Sequence, residues 1–485
     1  MVVVISKRGA CRAAIALPSI VVLQLALGAC SPGRRAGGEP SPVRNLILVS
    51  IDTMRGDRLG AQRGSVHLTP RLDAFAARAA RFTDCRSASG TTLASHKAMF
   101  SGRYPTYFLA DFSRARREGA TPFPPVVYYR HALSRWPVPS VASLLREAGF
   151  ATAGFVDDGY LHPRFGLGEG FETWASERIG IVGHRPRAQR WLESQGSHRF
   201  FLLVHTYDVH CPYDPPAPHL RLFEEGCTGR LDVTQPCGNT EFAALDLTAE
   251  DFEHVARHYD AEVRHVDEEL GRFLDWLDST GRLDDTAVVV TSDHGESLGE
   301  RSVVGHGGLH DNQLHVPLVV YVPGRSPAVI DAPVSGVDVG PTILDLLLGR
   351  VPDGLDGASL EGLLSGSPTD AAAFARRPRM ASATVVEGRS GATRLRKLAV
   401  MDPAGLKLIA DLSGPSAELY DLLRDPKEAH DLFGTGHPRE KDLVELAGNA
   451  AVGPLRGLAA ESEGPDQGLS PEDVEALRSL GYVDP

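Results

Sequence analysis

Two types of segment alternate along the chain between residues 45 and 350. The first type is a short, nearly continuous apolar run, seen at Leu46–Ile51, Ala151–Phe155, Phe200–His205, Thr286–Ser292 and Pro317–Val322. Runs of this length, rich in branched residues and bounded by polar ones, are typical of strands buried on both faces of a parallel sheet. We therefore predict that these five runs belong to one buried sheet.

The second type has apolar residues at helical spacing. The long charged segment Ala249–Ser279 shows it most strongly, and Pro70–Ala80, Ser95–Ser101 and Ser140–Ala148 predict shorter helices. Phe82–Arg86 predicts one more strand. Because strands and helices alternate, we predict an α/β fold with a wound, mostly parallel sheet flanked by helices on both faces.

The pattern changes after residue 355. Residues 380–435 contain short strand-like stretches separated by turns, which predict a small antiparallel sheet with a helix. We therefore divide the folded chain into an α/β domain at 44–355 and a C-terminal α+β subdomain at 356–485.

The start of the chain has the pattern of an export signal. Basic residues precede the apolar run Ala13–Leu27, which leads into Gly28–Ala29–Cys30. This ending resembles a bacterial lipobox, so residues 1–29 are predicted to be a lipoprotein signal peptide, with Cys30 as the lipidated first residue. Residues 30–43 predict a flexible tether. We expect a lipid anchor in the bacterial cell envelope, at the outer membrane, with plain secretion as the alternative.

Composition narrows the expected function classes. The 485-residue chain has 42% hydrophobic and 23% charged residues, which suits an ordinary globular fold. Its net charge is −12 and it contains no basic stripe, so nucleic acid is not an expected partner. Nothing in the sequence indicates an oligomeric state.

The cysteines predict disulfides and not a zinc–thiolate site. Signal cleavage and lipidation leave Cys85, Cys211, Cys227 and Cys237, without metal-type spacing. An exported protein can form disulfides, and we predict a Cys227–Cys237 pair that closes a short loop. Whether Cys85 and Cys211 meet is left open.

Polar side chains directly follow two of the predicted strands. Asp52 comes after Leu46–Ile51, and Asp293 and His294 come after Thr286–Ser292. Ligands of wound α/β sheets collect at the carboxyl ends of the strands, so we expect these three side chains at one site.

The segment Ser89–Arg103 carries the most specific signal. Its sequence around Thr92–Leu93–Ala94–Ser95–His96 resembles the nucleophile loop of the sulfatase family, in the sulfatase/alkaline phosphatase superfamily, with Thr92 at the nucleophile position. Sulfatases have Cys-x-Pro-Ser-Arg there, or Ser for Cys, and oxidise that residue to formylglycine. Threonine is not a substrate for this oxidation. A threonine hydroxyl ionised by a metal can instead attack phosphorus and form a phospho-threonine.

The resemblance implies an alkaline-phosphatase-like fold and one metal site. Asp52, Thr92, Asp293 and His294 are the implied ligands of a divalent ion, which is Mn²⁺, Zn²⁺, Mg²⁺ or Ca²⁺. Sulfatases have a second Asp where this chain has Thr53, and often Asn where it has His294. Together with Thr92, these departures favour phosphate or phosphonate esters over sulfate esters.

Three histidines complete the candidate catalytic set. His96 stands at the position of the sulfatase Arg and is expected to contact the nucleophile or the transferred group. His210 lies in a segment that resembles the family's His-x-Pro stretch, which implies binding of the ester anion and general-acid catalysis. His306, in a glycine-rich segment, is expected on the substrate side.

A second metal ion is the open alternative for some of the same residues. His205 and Asp208 can join it with His306 or His310, as in bimetallic phosphatase relatives. Otherwise His205 and Asp208 are supporting or structural residues.

Other residues receive weaker assignments. Lys407 is predicted to be a solvated lysine on an edge strand, and Arg55 and Asp57 are candidates for an ion pair that shapes the site. The loop residues Tyr128–Arg130 are candidates for substrate contact.

The leading hypothesis is a lipid-anchored, metal-dependent hydrolase that cleaves phosphate or phosphonate esters through Thr92. Its substrate is expected to be a small molecule or a glycan or lipid ester. The alternatives are a true sulfatase, a phosphotransferase that passes the group to a sugar or lipid hydroxyl, and a non-catalytic anion-binding protein.

Overall fold

The structure of the chain is a computed structural model. It describes residues 43–105, 128–129, 138–223, 229, 231–233, 246–387, 392–412 and 416–452. The predicted signal peptide, Cys30, the Cys227–Cys237 pair and the side chains of Tyr128–Arg130 lie outside the described residues.

The longer strands of the described residues belong to two sheets, and several strands of two residues lie outside these sheets. In chain order they are β1 (Asn45–Ile51), β2 (Gln62–Arg63), β3 (Val66–His67), β4 (Ala80–Phe82), β5 (Cys85–Arg86), β6 (Tyr128–Tyr129), β7 (Ala151–Val156), β8 (Thr173–Ser176), β9 (Phe200–Thr206), β10 (Thr286–Thr291), β11 (Ser297–Leu298), β12 (Val304–Gly305), β13 (Leu318–Tyr321), β14 (Ala328–Ile330), β15 (Val334–Ser335), β16 (Arg379–Glu387), β17 (Ala392–Met401), β18 (Leu406–Asp411) and β19 (Ala417–Asp421).

The α-helices of the same residues include one of 31 residues, and the others are shorter. They are α1 (Pro70–Ala76), α2 (Thr92–Ser101), α3 (Val141–Glu147), α4 (Gly180–Ser194), α5 (Ala217–Leu220), α6 (Ala249–Ser279), α7 (Asp311–Leu314), α8 (Val339–Leu348), α9 (Glu361–Leu364), α10 (Pro368–Phe374) and α11 (Glu440–Val452).

The central sheet has eight strands in the order β14-β4-β13-β10-β1-β9-β7-β8. The five strands β10-β1-β9-β7-β8 run parallel, whereas β13 is antiparallel to both of its neighbours. The five apolar runs of the sequence are β1, β7, β9, β10 and β13, so the predicted wound, mostly parallel sheet is confirmed.

One predicted helix was too long. The segment Pro70–Ala80 is helical only to Ala76, and Ala80 already belongs to β4. Ala80 pairs with Val320 of β13, so its backbone has a sheet partner that helical spacing in the sequence does not reveal.

The central sheet lies between two apolar layers. Along β1, Leu46 and Leu48 pack into one layer, whereas Ile47, Val49 and Ile51 pack into the other. Helices α3 and α8 cover the first face, and α1, α4 and α6 cover the second. Burial on both faces explains why β1 has no polar position before Ser50 apart from its first residue.

A second sheet forms the C-terminal part, as predicted. Strands β16-β17-β18-β19 are antiparallel, and the short β6 pairs with β17. Helix α11 packs on this sheet through Leu443 and Ala447. The domain boundary after residue 355 stays a prediction. Among the described residues, no helix combines the length and apolarity needed to cross a membrane.

Candidate active site

The register of three neighbouring strands brings the candidate ligands together. Ser50 of β1 pairs with Thr291 of β10, and Ile51 pairs with Thr206 of β9. Continuing these parallel registers by one or two residues sets Asp52 beside Asp293 on one side and Tyr207 on the other. The site therefore lies at the carboxyl ends of β10, β1 and β9, as wound α/β sheets favour.

The backbone just after Asp52 adopts an unusual conformation. Thr53 has a φ of 55°, in the left-handed region that a β-branched residue rarely occupies. The Tyr259 hydroxyl of α6 donates to the Thr53 carbonyl at 2.7 Å and accepts from the Arg55 amide at 2.9 Å. These two hydrogen bonds hold the turn that follows the candidate ligand Asp52.

Thr92 is the first residue of α2 and is fully buried. Its Oγ1 lies 3.3 Å from Nε2 of His294. The loop before it passes close to the segment 306–308, because a Cβ on Gly90 would meet the Gly308 carbonyl oxygen at 2.2 Å. Glycine at position 90 therefore allows the loop before Thr92 to approach the segment that carries His306.

The donor atoms at the strand ends fit a divalent metal. Asp52, Asp293 and His294 each place a ligand atom within 4.8 Å of the others, and all three side chains are buried. Oδ1 of Asp52 and Oδ2 of Asp293 are buried without a hydrogen-bond partner. The Nδ1–H of His294 donates to the Gly295 carbonyl at 2.9 Å, so its Nε2 is the nitrogen that offers a lone pair. Orphaned carboxylate oxygens and an oriented imidazole are what such an ion requires.

The two carboxylates perturb each other electrostatically. Burial and the Asp293 carboxylate raise the pKa of Asp52 well above its usual value. Burial acts to raise the pKa of Asp293 as well, but the imidazoles of His294, His96 and His205 outweigh it and lower this pKa to about 2. Two buried carboxyl groups with one strongly raised pKa form a site that gains from a bound cation.

His96 lies next to Thr92, and both of its ring nitrogens form hydrogen bonds. Its Nδ1–H donates to the Thr92 carbonyl at 2.9 Å, and its Nε2 accepts from the Ser50 hydroxyl at 3.0 Å. Burial lowers its pKa, which keeps the ring neutral. Nδ1 of His96 also lies 3.6 Å from Oδ2 of Asp293. The two hydrogen bonds of His96 go to the backbone of Thr92 and to β1, and they hold the start of α2 against the sheet.

His210 and His306 lie together on the other side of His294. The ring centroid of His306 lies 4.5 Å from that of His294 and 4.9 Å from that of His210. The Nδ1–H of His210 donates to the Cys211 carbonyl at 2.5 Å, and burial together with His306 lowers the pKa of His210 to about 3. The structure thus brings His210 and His306 next to the candidate metal ligands.

Glu296 is a site residue that the sequence interpretation missed. Its carboxylate is fully buried, with Oε1 3.1 Å from Nδ1 of His306 and Oε2 accepting from the Tyr213 hydroxyl at 3.1 Å. Burial raises the pKa of Glu296 to about 7. The sequence did contain a signal for Glu296, which follows the candidate ligand His294 by two residues. In an extended chain, side chains two residues apart point the same way.

Tyr207 was also missed. Its ring lies 4.8 Å from that of His205 and 5.1 Å from that of His210. Burial and the Asp52 and Asp293 carboxylates raise the pKa of its hydroxyl well above the usual value. The Asp157 carboxylate accepts from the Tyr207 amide at 2.8 Å and so holds this turn.

The residues considered for a second metal do not assemble. His205 lies 3.4 Å from Asp52, Asp208 accepts from the Ile181 amide at 2.7 Å, and His310 lies 2.8 Å from Glu418. Among the described residues, Asp52, Asp293 and His294 form the single group of three or more His, Cys, Asp and Glu side chains close enough to share an ion.

The prediction that Lys407 is a solvated residue on an edge strand was wrong, because its side chain is fully buried. Its Nζ lies 2.8 Å from Glu428 and 3.6 Å from Asp311, which come from distant parts of the chain. The predicted ion pair between Arg55 and Asp57 is confirmed, with 2.7 Å between Nη2 and Oδ2.

The two cysteines near the site do not pair with each other. Cys85 is a buried free thiol, whereas Cys211 is in a disulfide.

The chain is similar to known proteins over much of its length. The family model named Sulfatase matches residues 44–179 and 185–349. The choline-sulfatase of Rhizobium meliloti (strain 1021) is 25% identical over 445 residues, covering 79% of this chain and 83% of the relative. The multifunctional alkaline phosphatase superfamily protein PehA of Trinickia caryophylli is 30% identical over 213 residues, covering 38% of this chain and 41% of the relative.

A solved structure shares the fold. The phosphonate monoester hydrolase of Agrobacterium radiobacter aligns with a TM-score of 0.64 at 20% identity, over 85% of this chain and 95% of that chain. The likeness confirms the predicted α/β architecture with its C-terminal antiparallel sheet.

Proposed function

Because the chain belongs to the sulfatase family and is an ester-bond hydrolase, we propose that it cleaves phosphate or phosphonate esters through Thr92. The observation that carries the proposal is the hydroxyl of Thr92, buried 3.3 Å from His294 Nε2, where a sulfatase has its formylglycine precursor. A threonine offers a single hydroxyl and cannot form the hydrated aldehyde, so direct attack on phosphorus suits it best.

Asp52, Asp293, His294 and Thr92 would hold one divalent metal ion. When bound, this ion lowers the pKa of the threonine hydroxyl and neutralises charge on the transferred group. The orphaned oxygens of Asp52 and Asp293 support this assignment.

In the proposed first step, Thr92 Oγ1 attacks phosphorus and the ester oxygen leaves. His96 supports this step indirectly, because its hydrogen bonds to the Thr92 carbonyl and to Ser50 fix where α2 begins. Water then attacks phospho-Thr92 and releases the phosphate or phosphonate.

The departing ester oxygen needs a proton. His306 is the better donor of the two nearby histidines, because its Nδ1 faces the Glu296 carboxylate whereas that of His210 faces a neutral carbonyl. Burial lowers the pKa of His306 to about 4. A carboxylate that accepts from Nδ1–H is the kind of partner that favours the charged imidazolium, the form that can release a proton from Nε2. His210 then serves as a ligand for the ester anion.

The proposal is tested by measuring turnover of matched aryl sulfate, phosphate monoester, phosphate diester and phosphonate ester substrates by metal-reconstituted protein. We expect a phospho-ester to be preferred and Thr92→Ala to remove this activity. Rapid quenching followed by peptide mass spectrometry should find a phosphoryl or phosphonyl group on Thr92.

The neighbouring Thr91→Ala is the matched control, because Thr91 precedes α2 and its side chain makes no capping hydrogen bond. It should retain most of the activity. Preference for the sulfate ester, or full activity of Thr92→Ala, would overturn the proposal and favour a sulfatase mechanism.

We also propose that the mature protein is anchored to the outer membrane through a lipid on Cys30, as the lipobox-like ending at Leu27–Cys30 suggests. Cys30→Ala should move the full-length protein from the detergent phase to the aqueous phase in a phase-partition assay. Continued labelling of this variant by a fatty acid would contradict the anchor.

A further inference from the structure

The environment of Glu296 is unusually well defined for a side chain with no assigned role. Its backbone amide donates to the Asn312 carbonyl, and its carbonyl accepts from Nη1 of Arg55, both at 3.1 Å. Its two carboxylate oxygens face His306 and Tyr213, also at 3.1 Å each. The carboxylate is therefore fixed in position from both the backbone and the side-chain end.

Burying a carboxylate is costly unless its oxygens are satisfied by specific donors. A chain that needed only packing here would be served by an apolar residue of similar volume. The observed arrangement instead directs a carboxyl oxygen at Nδ1 of His306, whose ring lies 4.5 Å from that of His294. The free-energy cost of burying this carboxyl group is explained if the orientation of His306 matters to the proposed ester cleavage.

We propose that Glu296 is a positioning residue that accepts the Nδ1–H of His306 and thereby presents its Nε2–H to the leaving oxygen. The inference rests on the proposed function, since it assumes that His306 protonates the leaving group. Tyr213 takes part by holding the second carboxylate oxygen, so that Glu296 cannot turn away from His306.

Both steps of the proposed reaction pass a proton through Nε2 of His306. Thr92 enters the cycle as the alkoxide, a state that a bound divalent ion would favour. As the Thr92 Oγ1–phosphorus bond forms, the bond from phosphorus to the ester oxygen breaks and its electron pair stays on that oxygen. The oxygen takes the proton from His306 Nε2, which leaves a neutral imidazole whose Nδ1–H is still bound to Glu296. When water attacks phospho-Thr92, its oxygen bonds to phosphorus, the Oγ1–phosphorus bond breaks and its electron pair stays on Thr92 Oγ1 as the alkoxide. One proton of that water goes to Nε2 of His306, which restores the starting state.

The test compares two phosphonate monoesters that differ only in the leaving group, one p-nitrophenyl and one ethyl. A nitrophenolate departs without protonation, whereas an ethoxide requires it. We expect Glu296→Ala to lower kcat for the ethyl ester by about 10- to 100-fold, as for other residues that orient a reactive group. For the p-nitrophenyl ester we expect a loss of no more than about threefold, since general-acid help is small there.

Two further variants separate positioning from a general structural effect. Glu296→Gln keeps an oxygen that accepts from Nδ1–H, so it should restore most of the ethyl-ester activity. Adding Glu296→Ala to His306→Ala should cause no further loss, because both act on the same proton transfer. Glu300→Gln is the control carboxylate, since Glu300 bonds Arg55 and not His306.

Equal losses for both leaving groups would overturn the positioning role, as would a Gln variant as poor as the Ala variant or additive losses in the double variant. If Glu296→Ala does not fold, Tyr213→Phe removes one of the two hydrogen bonds to the carboxylate and should give a smaller loss with the same leaving-group dependence. These outcomes leave the role of Thr92 intact, whereas activity of Thr92→Ala would remove the proposed function itself.

Discussion

Replacing Lys407 by methionine tests the ionic cluster of Lys407, Glu428 and Asp311, which joins the C-terminal sheet to helix α7. Lys407 lies on β18 with a fully buried side chain, and its Nζ is 2.8 Å from Glu428 Oε1. Methionine matches the length of the lysine stem, so the substitution removes the charge without opening a large cavity.

The expected cost follows from what is left behind. Glu428 has a side chain only 2% exposed and would lose its nearest cation, while Asp311 would lose one of its positive neighbours. Removing one partner of a buried ion pair typically costs about 3–5 kcal/mol. Glu428 keeps a hydrogen bond from the Asp311 amide at 2.6 Å and the Arg301 guanidinium at 3.6 Å, so we expect the lower end, about 3 kcal/mol.

Urea unfolding followed by circular dichroism measures this loss. Lys397→Met is the matched control, because Lys397 is a partly exposed lysine on the neighbouring β17, 3.5 Å from Glu418. A partly exposed pair of this kind is worth less than about 1 kcal/mol. Adding Glu428→Gln to Lys407→Met should recover part of the loss, because it removes the charge left uncompensated.

The reasoning is refuted if Lys407→Met unfolds at the same urea concentration as the wild type. It is also refuted if the double variant is destabilised by the full sum of the two single variants, because then the two side chains do not interact.

Three further predictions concern metal binding, pH and thiol reactivity. Asp293→Asn should lower the metal content of the purified protein in elemental analysis, and an unchanged content would contradict the assigned ligands. The hydrogen bond from His310 lowers the pKa of Glu418 to about 2, so the stability it contributes is complete above the unfolded pKa of about 4.3 and is lost as pH falls towards 2. Glu418→Gln should therefore flatten the acid limb of the stability profile, and an unchanged limb would argue against the pair. Burial raises the pKa of the Cys85 thiol to about 12, so peptide mapping should find it unlabelled by iodoacetamide until the protein is unfolded.

Much of the fold was predictable because burial of the sheet leaves a strong local pattern. A strand covered on both faces must be apolar throughout, and β1, β9 and β10 were found in this way with shifts of a residue at their ends. The long helix Ala249–Ser279 was predicted with the bounds that the structure has, since its amphipathic spacing continues over many turns. The short β4 was assigned partly to a helix, because its three residues are too few to show a period of two.

The site was predictable where a ligand directly follows a strand or lies in a specific segment. Asp52, Asp293 and His294 are brought together as expected, and Thr92 lies beside them. Glu296 and Lys407 were not correctly assigned. Their surroundings depend on Tyr213, Asp311 and Glu428, which the sequence separates from them.

The sequence by itself determined which strands are buried and which residues stand at their ends, because these properties depend on neighbouring residues along the chain. Only the tertiary structure decided that Tyr207 stands beside Asp52, that Glu296 faces His306 and that Lys407 is enclosed by carboxylates. Such contacts depend on strand register and on how distant segments pack, and a charged side chain looks the same in sequence whether water or a buried partner compensates it.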